Sequence, residues 1–111
     1  MKVERLDSML RGWFIGDFEP SVLRTGQFEV AVQRFRAGDH EQKHVHKVAT
    51  EVTVIVSGQA KMNGRELDAG DIVVLAPGEP ADFRAVTDVT TAVVKVPGAK
   101  NDKYLLEEPS C

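Results

Sequence analysis

The sequence predicts an all-β domain, a sandwich or a barrel. Short β-rich runs are punctuated by turn signals about every eight to twelve residues, the spacing of such folds. Several runs alternate apolar and polar residues or are continuously apolar over strand length. No long helical periodicity competes with them.

Taken in order, Leu6–Leu10 has room for one helical turn. Trp13, Phe14 and Phe18 crowd three aromatics into WFIGDF, an early strand that packs over the barrel end or forms a dimer contact. Gln27–Arg36 (QFEVAVQRFR) alternates as a half-buried strand should. If its Phe35 is core, Arg34 and Arg36 face outward. Glu51–Val56 and Ile72–Leu75 are nearly continuous apolar runs, as expected for strands covered on both faces. Between them, Asn63-Gly64 inside KMNGRE is the strongest local hairpin signal. Pro77-Gly78-Glu79-Pro80 forces a turn before Ala81–Val86, and Thr87-Asp88 turns the chain into Val89–Val96. Pro97-Gly98 ends that strand. The remaining residues are polar, anchored only by Tyr104, Leu105 and Leu106, and read as a packed or frayed tail.

Chemistry concentrates between Gly38 and Gly58. The spacing is glycine, five residues, His-Val-His, four residues, Glu51, six residues, glycine. On a strand His44 and His46 project to one face, and Glu51 opens the next strand. Two neutral imidazoles and a carboxylate suit Fe, Mn, Ni, Co or Zn as divalent ions. A bare His-x-His is weak evidence; the glycine frame adds specificity. Gly58, after Ser57, closes the apolar strand where positive φ is expected.

This segment, 38–58, resembles the first signature motif of the cupin superfamily. GDIVVLAPGEPADF, 70–83, resembles the second. The resemblance implies a double-stranded β-helix, or jelly roll, with the barrel over about 13–97 and a tail over 98–111, all in one domain. It assigns His44, His46 and Glu51 to the metal. Cupins with a metal usually carry a further histidine after the Pro-Gly-x-Pro turn; here that residue is Ala81. Asp82 is one place further on, and alternation turns it away unless a bulge re-aims it. The implied functions are a metal-dependent oxygenase or an isomerase or lyase acting on a small polar metabolite. The alternative is a non-catalytic sugar-binding or sensory cupin with a weakened metal site. A metal-free epimerase would need a tyrosine or carboxylate beside a histidine in the barrel, and Tyr104 lies outside it. Small cupins commonly pair, which implies a homodimer.

Bulk properties agree. A chain of 111 residues, 42% hydrophobic and 28% charged, builds one core without staples. A net charge of −3 with no basic run gives no expectation of nucleic acid. No segment has the length of a membrane span, and the start lacks a signal-peptide core, so the expected setting is cytoplasmic. Cys111 is the only cysteine, so no internal disulfide forms. Among the basic residues, Arg34, Arg36, Arg84 and Lys95 are either solvated or, pointing inward, ready to hold an anionic group. His40 falls in a loop, and Thr50 or Thr53 is placed to orient a ligand.

Overall fold

A computed structural model describes residues 1–106 of the chain. Cys111 and the Glu107-Glu108 pair lie outside the described residues. After a single 3-10 turn at Leu6–Ser8 come β1 (Trp13–Ile15), β2 (Glu29–Phe35), β3 (His40–Val45), β4 (Thr50–Ser57) and β5 (Gln59–Met62). They are followed by β6 (Arg65–Asp68), β7 (Ile72–Leu75), β8 (Ala81–Ala85), β9 (Val89–Val96) and β10 (Tyr104–Leu105). The strands pair antiparallel into two sheets, ordered β1-β2-β9-β4-β7 and β10-β3-β8-β5-β6. Apart from the neighbouring pairs β1–β2 and β5–β6, consecutive strands cross between layers, the plan of an all-β jelly roll.

Alternation places the core. Along β8, Ala81, Phe83 and Ala85 are buried while Asp82 and Arg84 turn away. Along β9, Val89, Thr91 and Val93 point inward. Ala81, Phe83, Ala85 and Val89 meet Ile55, Ala60, Met62, Leu67 and Leu75 in one cluster, with the Phe35 ring centroid 4.7 Å from that of Phe83. Phe35 thus faces in, and Arg34 and Arg36 are exposed as expected. The Asn63-Gly64 hairpin forms with φ of 51° and 77°, the double positive φ of a type I′ turn.

Two expectations fail. Ile72–Leu75 and Glu51–Val56 are not covered on both faces: Ile72 is 65% exposed, Val74 59% and Val56 55%. Among the described residues their sheet has no second layer on its outer side at β4 and β7, and β7 is its edge. Nor is the stretch after Pro97 wholly outside the sheets. Tyr104 and Leu105 pair with Val45 and His44 as an added edge strand, because an extended dipeptide can satisfy the free backbone of β3.

Candidate metal centre

β3 and β4 deliver the three predicted side chains to one mouth of the barrel. Donor atoms of His44, His46 and Glu51 all lie within 4.8 Å of one another, a grouping that could hold a metal ion. The path there includes a bulge. In the β3–β8 pairing the register shifts between Glu41 and His44, so Glu41 and His44 both line the cavity despite their odd and even positions. His46 stands just past the end of β3 and is 5% exposed.

Each imidazole is oriented by the backbone. His46 Nδ1 lies 2.8 Å from the Asp102 carbonyl, and His44 Nδ1 lies 3.0 Å from the Gln42 carbonyl. A carbonyl only accepts, so Nδ1 carries a proton in both rings, and Nε2 is the nitrogen each ring has free for a second proton or a metal ion. His46 Nε2 then sits 2.8 Å from Glu51 Oε2, yet it has no hydrogen-bond partner. A lone pair facing a carboxylate oxygen at that distance is repulsive unless a proton or a cation lies between them. Two donor atoms each about 2.1 Å from an ion and at right angles stand about 3 Å apart. The observed pair therefore has the spacing of neighbouring ligands on one ion.

Glu51 is itself held. Its Oε1 accepts the Thr53 hydroxyl at 3.2 Å, so Thr53 is the orienting threonine. Burial works against the charge on Glu51, but His46, then Lys95 and His44, outweigh it and keep the carboxyl below its ordinary range.

Sequence reasoning missed Asp102. It is buried, and its carboxylate caps the turn between β3 and β4. The backbone N–H of Lys47 donates to Oδ1 at 2.9 Å, that of Ala49 to Oδ2 at 2.9 Å, and that of Val48 to both. One residue thus fixes the His46 ring by its carbonyl and the turn by its side chain. Fifty-six residues separate it from His46, and an acid in a polar tail carries no local signal.

Other predicted residues land elsewhere. Asp82 does not join the three donors: its Oδ1 accepts the Asn63 N–H at 2.7 Å, on the outward side of β8. Ala81 is the cross-strand partner of His44 and is 1% exposed. The strand position beside the first histidine therefore offers a methyl group. His40 is exposed at the start of β3, and Arg84 is exposed on β8. Lys95 points in. It lines a cavity of about 100 Å³ together with Arg11, Trp13, the three donors and the buried Thr91, whose hydroxyl has no hydrogen-bond partner. Trp13, Phe14 and Phe18 are half-buried in the barrel's own packing, and Trp13 lies under the Lys95 ammonium at 4.7 Å.

No helix among the described residues is long and apolar enough to cross a membrane. No protein-family model matches the chain, and no curated protein does. Solved structures do. An uncharacterized conserved protein with a double-stranded β-helix domain from Klebsiella pneumoniae matches with a TM-score of 0.72 at 24% identity, over 96% of this chain and 93% of that one. A sugar phosphate isomerase from a cupin superfamily of Silicibacter pomeroyi gives 0.59 at 22%, over 63% of this chain and 50% of that one. Oxalate decarboxylase from Bacillus subtilis, studied for its Mn(II) centres, gives 0.62 at 20%, over 74% of this chain and 25% of that one. This chain thus spans about half of the isomerase and a quarter of the decarboxylase. With two antiparallel sheets wound in this order and these neighbours, the chain has the double-stranded β-helix fold.

Proposed function

We propose that the chain is a small divalent-metal enzyme acting on a small polar molecule, with His44, His46 and Glu51 as protein ligands. The observation that carries this is the convergence of donor atoms from His44, His46 and Glu51 within 4.8 Å of one another, with His46 Nε2 2.8 Å from the Glu51 carboxylate. A bound Fe, Mn, Ni, Co or Zn ion would supply Lewis acidity or, for iron, reactivity with dioxygen. The chain's own part is to orient both rings through the carbonyls of Asp102 and Gln42, to hold Glu51 ionised, and to offer a partly apolar chamber. Isomerase or lyase chemistry and oxygenation both fit that arrangement. The isomerase and decarboxylase of like fold lend weight to the former.

One observation favours a second reading, a non-catalytic binding or sensory module with a weakened metal site. Ala81 stands where a fourth donor would face His44. Elemental analysis of protein reconstituted with each metal separates the two. The enzyme reading expects about one ion per chain and its loss in His44→Ala/His46→Ala, with an unchanged far-ultraviolet spectrum. Protein that holds no ion after reconstitution supports the module. A double variant that keeps its ion overturns the ligand assignment.

The proposal includes a homodimer. Its support is the outer face of the first sheet, where Val52 and Val54 of β4 stand in register with Val74 and Ile72 of β7 and with Val94 and Ala92 of β9. A cytoplasmic setting belongs to the same reading and is consistent with a single cysteine, which asks for no internal disulfide.

A further inference from the structure

We infer that the cavity takes a small anion, whose charged group is received by Lys95 and Arg11 beside Trp13, next to the His44–His46–Glu51 cluster. This deepens the metal-enzyme reading and rests on it for the ion.

The first observation is where Lys95 goes. It follows Thr91 and Val93 on the inward face of β9, and its Cα pairs with Glu51 on one side and Glu29 on the other. Its ammonium makes an ion pair with neither; instead it lies over the Trp13 ring, 4.7 Å from the centroid. The indole thus keeps a cation at the cavity wall rather than in bulk water.

The second is Arg11. It holds a left-handed φ of 51°, a conformation costly for a side chain of its kind, in a turn pinned at two points. Gln33 Nε2 donates to the Arg11 carbonyl at 3.0 Å, and the Val32 N–H donates to the Gly12 carbonyl at 3.1 Å. Glycine or asparagine would suit that backbone better, yet the residue is an arginine, exposed and lining the cavity. Among the described residues it makes no ion pair.

The third is charge balance. The acids turned into the cavity are engaged: Glu41 with Lys103 at 3.6 Å and Glu51 with Thr53. Three basic side chains, Arg11, Lys95 and Lys103, face these two acids, so a divalent ion leaves the space three charges positive. Glu29, in the adjoining groove, reduces that to two. A volume of about 100 Å³ is below the roughly 300–1,000 Å³ of drug-sized sites, which restricts the anion to a few heavy atoms.

Malonate and its neutral diamide, malonamide, are suitable probes, titrated calorimetrically into metal-loaded and metal-free protein. Malonate should bind the loaded protein at least about tenfold more tightly than malonamide, with affinity falling as salt rises. Lys95→Met keeps an unbranched stem against Trp13, and Arg11→Gly suits the left-handed turn, so neither substitution should unfold the chain. Each should weaken malonate about tenfold and leave malonamide unmoved. Loaded protein whose malonate affinity both variants leave intact overturns the inference while the metal reading stands. Failure to take up metal overturns that earlier reading instead. The metal-free protein then decides this one: malonate preferred over malonamide, with the preference lost in Lys95→Met, supports it, and equal binding of the two probes ends it.

Discussion

At the scale of single residues, Asp102 ties the fold to the site. Its carboxylate takes N–H groups from three consecutive residues while its carbonyl aligns His46. Removing a buried acceptor leaves those donors unpaired, so Asp102→Ala should cost about 2–4 kcal/mol in urea unfolding. Metal affinity should fall about tenfold to a hundredfold, as when a ligand loses its outer support. Burial alone would raise the Asp102 carboxyl, but the N–H groups of Ala49, Lys47 and Val48, with His46, hold it below its ordinary value of 3.8. A depressed folded value means that the stabilisation is complete above the unfolded value and fades as pH falls through the folded one. The advantage of metal-free wild type over Asp102→Asn should therefore begin to shrink as pH falls below about 4; an advantage that does not shrink with falling pH refutes the assignment. The three donors were legible because strand parity and spacing are local properties. Asp102 was not, because its partners lie more than fifty residues away. Lys95 lay between these cases: its strand was plain, but which face of β9 the barrel covers depends on sheet order.

At the scale of elements, the turns were readable from composition, whereas exposure and pairing depended on neighbours. Asn63-Gly64 announced its hairpin because few residues accept two successive positive φ values. Gly58 shows a second use of the same residue. Its φ is 88°, and an added Cβ would collide with the Asp88 carbonyl, while at Gly64 a Cβ would meet nothing within 4 Å. Gly64→Ala should thus cost only the backbone penalty, about 1 kcal/mol. Gly58→Ala adds a clash that the β4–β5 corner must relax, for about 3 kcal/mol in all. Equal urea midpoints for the two variants would contradict the close approach at Gly58. β7 illustrates what composition hides. Ile-Val-Val-Leu looks like an interior strand, but only Leu75 is buried and Val73 half-buried, since the strand lies at an edge whose outer side meets no other layer among the described residues.

At the scale of the whole molecule, that uncovered side asks for a partner. Near β1 and β2 the chain's own start serves: Met9 is buried, and Leu6, Phe14, Val22 and Val32 line one groove with it. Across β9, β4 and β7 the described residues supply no such cover, and Ile72, Val74 and Val96 are each at least half exposed. Apolar side chains set in register across three strands form a continuous patch, larger than single scattered exposures of the kind any surface carries. Charged side chains are missing from the aligned rows Ala92–Val54–Ile72 and Val94–Val52–Val74, so the face has little to hold it in water. A second copy offers the same apolar rows, and two such faces packed across a two-fold axis would remove both from solvent. Ile72→Lys/Val74→Lys places two ammonium groups in that contact. Sedimentation at tens of micromolar should then show a dimer for the wild type and a monomer for the variant, with metal content and far-ultraviolet spectrum unchanged because the inward rows are untouched. A wild type that sediments as a monomer at that concentration removes the dimer, and a variant that remains dimeric moves the interface to another face.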